Sequence, residues 1–262
     1  MIVVRVERSG VFARVTLARP EVRNAFNAQL IEDLRGTFEM LGAEAPDALR
    51  GIVLAGEGAT FSAGADIEWM RSSLELSVEE NERDAAAMHA MFAAIDACPV
   101  PVIARVQGAA LGGGMGLCAV SDVVLTTNDA IFGFAETKLG ILPAVISPFV
   151  VAKIGESNAR ALFPTGERFV ARRAQWIGLV HEVLADEDAM DDRIEGILAE
   201  LQTAGPTALR SAKAMVRELR TLSPADARAH TIRHIAQQRT SSEGQEGLVA
   251  FLEKRPPSWR DG

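Results

Sequence analysis

The stretch "GAALGGGMGLCAVSD", residues 108 to 122, sets three consecutive glycines and a fourth two positions later between apolar runs, with almost no polar side chain. A backbone that bare, and that apolar in its surroundings, has few structural uses. A flexible linker is polar and serine-rich, whereas the neighbours here are Val, Ala, Leu, Met and Cys. A dinucleotide-binding turn is formally matched by Gly114, Gly116 and Ala119, but that motif turns directly off its strand, and here "QGAALGG" intervenes after Val106. The reading that remains is a buried helix N-terminus, whose missing Cβ atoms let a ligand approach and whose unpaired N–H groups point at an oxygen.

The rest of the chain alternates short strands with helices. Ile2 to Val6 and Val11 to Leu17 flank "ERSG" as an N-terminal hairpin. Asn27 reads as an N-cap ahead of a helix whose apolar face is Leu30, Ile31, Leu34, Phe38 and Leu41. "GIVLAG" at 51–56 is a buried strand followed by the loop "EGATFSAGAD". Residues 80–97 form a helix with Met88, Met91, Phe92 and Ile95 on its stripe, ended by Pro99 and Pro101. Strands are predicted at "VIARV" and "DVVLTT", a short apolar run at "AIFGF" leads to Glu136, helical signals dominate beyond it, and a strand-like piece stands at "GLVHEVL". Gly205-Pro206 ends a helix carrying Met190, Ile194, Leu198 and Leu201, and the chain from there to Ala250 reads as all helical. This is an α/β chain with a helical tail, divided at 1–204 and 205–262.

Composition narrows the partners. Of the 262 residues 48% are hydrophobic and 24% charged, and the net charge is -8. An acidic chain offers no basic stripe to nucleic acid and is repelled by anionic membranes. No apolar run is long enough to span a bilayer, no leader segment is evident, and Cys98 and Cys118 sit in apolar stretches as small core residues, so a cytoplasmic protein is expected. Metal binding is not expected: among the four histidines only His230 and His234 stand at i, i+4, and they lack the acid between them that a zinc-protease helix carries. Ser62 and Ser147 lack a nucleophile elbow, Asp122 reads as a structural acid, and Lys138 is open to either a substrate carboxylate or solvent.

A helix N-terminus supplies half of an oxyanion hole, and "FSAGAD", coming just after a strand, is the natural source of a second exposed amide. In this order and separation "TFSAGADIEWM", "ARVQGAALGGGMGL" and "GFAETKLGILP" resemble the enoyl-CoA hydratase/isomerase, or crotonase, family. The resemblance runs from "RPEVRNAFN" through "GLVHEVL" to "EGLVAFLEKRPP", nearly the whole chain. It implies a β-β-α spiral core, a C-terminal helical trimerisation region, and a homotrimer or a homohexamer of two trimers. It also implies an acyl-CoA thioester substrate, so that coenzyme A arrives with the substrate and no separate cofactor is required. By resemblance the amides of Ala63 and Gly113 form the oxyanion hole, and Glu136 is the acid/base. Arg23, Asn24, Ala65, Asp66, Ile67 and Lys254 are implied at the coenzyme A. Family hydratases carry a further glutamate where this chain has Gly116, so isomerase chemistry with one glutamate, or acyl-CoA binding without catalysis, stands beside hydration. The "KLGILPAVISPF" segment together with "GGGMGL" is similar to methylglutaconyl-CoA and isohexenylglutaconyl-CoA hydratases of leucine and acyclic-terpene breakdown. That similarity implies a substrate with a distal carboxylate, a water held by Glu136 and the Ala144 amide, and space vacated at Gly116.

Overall fold

The computed structural model describes residues 2–260. The strands are β1 (Val4–Ser9), β2 (Phe12–Leu17), β3 (Gly51–Gly56), β4 (Val102–Val106), β5 (Ala109–Leu111), β6 (Val123–Thr127), β7 (Ile131–Gly133), β8 (Arg168–Val170) and β9 (Glu182–Leu184). The helices are α1 (Ala28–Gly42), α2 (Ile67–Ser72), α3 (Val78–Asp96), α4 (Gly113–Val120), α5 (Ser147–Thr165), α6 (Ala171–Trp176), α7 (Glu187–Thr203), α8 (Pro206–Leu219), α9 (Pro224–Thr240) and α10 (Ser242–Glu253).

Six strands form one sheet in the order β1-β2-β3-β4-β6-β9, parallel except for the β1–β2 hairpin. A second sheet, β5-β7-β8, is filled by short segments, two of which come directly after β4 and β6 in sequence. Ser62, just beyond β3, bridges to Ala110 of β5 in the same parallel sense, and Phe26 bridges to Ala65. Successive turns of chain thus place one long strand in the first layer and one short extended segment in the second, which is the spiral expected of a crotonase.

Alternation along the central strands decides what covers each face. Ile52, Leu54, Val102, Ala104 and Val124 join the main core with α1, α3, α4 and α5, whereas Val53, Ile103 and Leu125 face Met190, Ile194 and Leu198 of α7. Burial on both faces explains why β3 and β4 read as continuous apolar runs. The exception, Arg105 in β4, is buried because Asp191 and Glu187 of α7 pair with it at 2.7 and 3.0 Å.

Local signals mostly hold. Asn27 caps α1 by accepting from the Leu30 amide. α3 begins at Val78 rather than 80, because Ser77 and Glu80 form a reciprocal capping box. The strand in "GLVHEVL" shrinks to three residues, and β8 has too few residues for its period to show in the sequence. Gly205 is the N-cap of α8, with Pro206 at its first position. The helical tail is tied back to the core: Leu209 belongs to the main cluster, Arg210 donates to the Glu44 and Ala45 carbonyls, and Lys213 pairs with Asp122. Asp122 also accepts from the Val102 amide, so it is the structural acid expected. Among the described residues, no helix is long and apolar enough to cross a membrane.

Candidate active site

Three loops converge on one cavity of about 410 Å3. The first, residues 62–66, is held by its neighbours on alternate groups: the Ser62 amide donates to the Ala109 carbonyl, that of Ala63 to the Arg23 carbonyl at 2.9 Å, and that of Asp66 to the Phe26 carbonyl. Phe26 in turn donates to the Gly64 carbonyl at 2.7 Å. In this parallel bridge the Ala65 N–H faces away from Phe26, and it has no acceptor among the described residues. The expectation that Ala63 supplies an oxyanion donor is therefore corrected. Its amide closes the loop, and the free donor on the cavity is Ala65, two residues on.

The second loop is the glycine triplet. Gly112 has φ 48 and ψ -113, a conformation open only to glycine, and it turns the chain from β5 into α4. Gly113 is the first residue of α4, and its N–H also has no acceptor among the described residues. The two loops touch through their bare glycines: a Cβ on Gly64 would meet the Leu111 carbonyl oxygen at 3.0 Å and the Gly112 Cα at 3.6 Å. The free amides of Ala65 and Gly113 each lie one residue beyond that contact, and both residues line the cavity. The positive end of the α4 dipole adds to the field there.

The third loop carries Glu136, at the start of a short 3-10 turn that ends in Gly140. Thr137 fixes this turn by donating to the Phe163 carbonyl at 2.9 Å, and the edge-to-face pair Phe134–Phe163 packs beneath it. Glu136 Oε1 lies 3.2 Å from where a Cβ on Gly112 would stand, so the absent side chain is what admits the carboxyl beside the amides. Its Oε2 is buried and has no hydrogen-bond partner among the described residues. Burial pushes the Glu136 carboxyl above the ordinary carboxylate range, with its own backbone amide acting weakly in the other direction. The remaining walls are mostly apolar, with Phe26, Trp69, Met70, Met88, Leu139 and Ile141 among them, and carry Ser73, Asn81, Asp84 and Arg168 as their polar residues.

The other expected residues separate into four groups. Asn24 is fully buried, but its side chain is consumed by structure, donating to the Glu57 and Thr60 carbonyls and accepting from the Arg19 amide. Asp66 caps α2 through the Glu68 amide and pairs with Arg19 at 2.8 Å. Burial alone would raise its pKa, yet Arg19 and the α2 amides outweigh that and hold the carboxyl below its ordinary value. Neither side chain is free for coenzyme A. Gly116 is absent from the cavity lining, and a Cβ there would fall 2.5 Å from Ile146 Cγ2 and 2.7 Å from the Phe92 ring. No space is vacated at Gly116; Ile146 and Phe92 fill it. Ala144 does line the cavity, but its amide donates to the Leu142 carbonyl at 2.8 Å in a tight turn, so it is not the water's donor. Arg23, Ile67 and Lys254 are exposed and lie outside the cavity lining.

One lining residue has no sequence signal. Arg168 of β8 is the only lysine or arginine on the cavity among the described residues, and it has no ion-pair partner there. Only its pairing opposite Gly133 of β7 brings it to the rim.

Comparison with known proteins identifies the family and the fold. The enoyl-CoA hydratase/isomerase family model matches residues 7–262. The chain belongs to that family. Among its curated relatives, a Thermus thermophilus protein carrying an enoyl-CoA hydratase name is 34% identical over 254 residues, which are 97% of this chain and 99% of the relative. The enoyl-CoA hydratase AKT6-1 of Alternaria alternata is 35% identical over 207 residues, 79% of this chain and 67% of that one. Among solved structures of the fold, Pseudomonas aeruginosa AtuE superposes with a TM-score of 0.95 at 36% identity, covering 99% of this chain and 100% of that one. An enoyl-CoA hydratase from Shewanella pealeana superposes at 0.93 and 34% identity, over 98% and 96%. The Thermus relative and the two solved structures match nearly the full length of this chain, its helical tail included.

Proposed function

We propose that the chain adds water to the double bond of a 2-enoyl-CoA thioester, with Glu136 as the single acid/base. The observation that carries this reading is the meeting of two acceptor-free amides, on Ala65 and Gly113, with a buried carboxyl that has an unpartnered oxygen. With the thioester oxygen between the two amides, Glu136 takes a proton from water as the water oxygen bonds to C3. The π electrons move toward the thioester oxygen, where fixed donors stabilise charge that exists only as the reaction proceeds; a donor in such a hole is worth about 2.7–4 kcal/mol. Glu136 then returns its proton to C2, so water is added and the carboxylate regenerated.

Isomerisation is the second reading, favoured by the absence of a carboxyl at Gly116. A panel of enoyl-CoA thioesters monitored by absorbance of the conjugated thioester and by product mass separates the two, since hydration adds the mass of water and isomerisation adds nothing. An unchanged mass throughout the panel, with migrated double bonds, would replace hydration by isomerisation. No mass change and no migration with any thioester would leave acyl-CoA binding without catalysis.

For the acyl group we infer a glutaconyl-type chain with a distal carboxylate, supported by Arg168, the only lysine or arginine lining the cavity among the described residues and without an ion-pair partner there. Arg168→Gln should raise KM for a 3-methylglutaconyl thioester about 10- to 100-fold, the worth of one charge-assisted hydrogen bond, and leave crotonyl-CoA nearly unaffected. Equal effects on both thioesters would remove Arg168 as the carboxylate's partner.

The nucleotide end of coenzyme A would extend past the cavity toward exposed residues, where Arg23, Ile67 and, from a neighbouring copy, Lys254 remain its proposed contacts. Self-association is supported by the tail, which exposes Val216, Ile232, Ile235, Leu248, Phe251 and Leu252. Light scattering should give at least three times the 28.0 kDa chain mass, and a monomer at micromolar concentration would refute a trimer or hexamer.

A further inference from the structure

The helical tail contains a second constellation, remote in composition from the first. His230 and His234 lie one turn apart on α9, and the turn between the two helices brings Glu218, in the last turn of α8, against them. One ligand-capable atom from each of the three lies within 4.8 Å of the other two. His230 Nε2 is 2.7 Å from Glu218 Oε2, and the two imidazole rings are 4.0 Å apart between centroids with a 36° tilt. His234 has no hydrogen-bond partner among the described residues. We propose that Glu218, His230 and His234 form a binding site for a divalent first-row transition metal, Zn2+ foremost, that staples α8 to α9.

The histidine pair alone does not make this case, because in sequence its spacing lacks a third ligand. Tertiary structure supplies that ligand from the preceding helix. Two imidazoles and a carboxylate are a donor set suited to zinc, with a fourth position left to water. Bonds of about 2.0–2.1 Å at tetrahedral angles separate ligand atoms by about 3.3 Å, so the present cluster reaches coordination by rotamer adjustments rather than backbone movement. A cation here also meets the carbonyl end of α8, the negative end of that helix dipole. All three side chains are only half-buried, which leaves an entry path and lowers the desolvation cost. An all-oxygen ion such as Mg2+ lacks a suitable donor set.

None of the three residues lines the cavity around Glu136, so the ion would be structural and turnover should not depend on it. The test uses untagged full-length protein stripped with a chelator and titrated with Zn2+ by calorimetry. Saturable uptake of one ion per chain is expected, with a rise in Tm and, on Co2+ substitution, the visible absorption of a tetrahedral nitrogen–oxygen site. Glu218→Gln and His234→Gln, each checked for unchanged circular dichroism, should each weaken Zn2+ binding by at least about tenfold, and His230→Gln/His234→Gln should abolish it. The charge-neutral Glu218→Gln keeps the test valid if a histidine variant fails to fold. Absence of saturable uptake, equal affinity in the variants, or equal competition by Mg2+ would overturn the site.

Discussion

Glu136→Gln should lower kcat by about 100- to 10,000-fold, the range that a positioned proton-transfer group contributes, while leaving the KM for the thioester within a fewfold of the parent. Gln keeps the shape of the side chain and can neither take a proton from water nor return one to C2. The KM should hold because binding rests on the Ala65 and Gly113 amides and on apolar walls that the substitution leaves in place. The parent enzyme should show an acid limb in kcat/KM above the ordinary glutamate value of 4.5, because burial raises the carboxyl and the base must be ionised to act. In the variant that limb disappears. Stability should move the other way. A carboxyl whose folded pKa lies above its unfolded one favours the fold fully below the unfolded value, and that contribution is lost as pH rises through the folded one. Glutamine does not ionise, so at neutral pH the variant should melt no lower than the parent, and its melting temperature should lose this group's pH dependence. Retained turnover, or a lower Tm at pH 7 that recovers in acid, would show that Glu136 is a structural acid instead.

Gly116→Glu should fail to give a stable protein, and Gly116→Ala should already cost about 1–3 kcal/mol through overpacking. The helix that carries the oxyanion donor is buried from Gly114 to Val120, and the space beside Gly116 belongs to Ile146 and Phe92. Even a methyl group at 2.5–2.7 Å forces a phenylalanine and a β-branched isoleucine apart, and neither is the free end of a flexible chain. A glutamate adds a carboxyl with no partner in an apolar interior, so the total should exceed about 3 kcal/mol. For a chain of this size each kcal/mol is about 2–4 °C in Tm, so calorimetry reads Gly116→Ala directly. A folded Gly116→Glu that hydrates crotonyl-CoA faster than the parent would show that the helix face does open onto the substrate after all.

What could be read from the chain and what could not divides along physical lines. Local chemistry announces itself: Asn27 before a periodic apolar face, Gly205-Pro206 at a helix boundary, and glycines where backbones must touch. The family motifs likewise fix the order of the three loops, because each is a contiguous run whose meaning lies in its own backbone. Glu136 was legible for the same reason. Which amide is free was not. Ala63 and Ala65 look alike in "SAGAD", and only the parallel pairing of that loop with Phe26 and Arg23 decides that one N–H closes a turn while the other faces the cavity. Asn24 and Asp66 read as ligand contacts until long-range hydrogen bonds from Arg19, and to the Glu57 and Thr60 carbonyls, show their polar atoms already taken. Gly116 read as a gap because a missing side chain in one dimension resembles empty space; in three dimensions Phe92 from α3 and Ile146 from the turn before α5 occupy it. The sequence by itself determined the alternation of strands and helices with a helical tail, since these arise from patterns within single segments, and through its family motifs the resemblance that implied the spiral and the acid. Tertiary structure alone decided which donors are unpaired, that Arg168 reaches the cavity and that Glu218 joins two histidines, because each depends on groups far apart in the chain competing for the same partner or the same space.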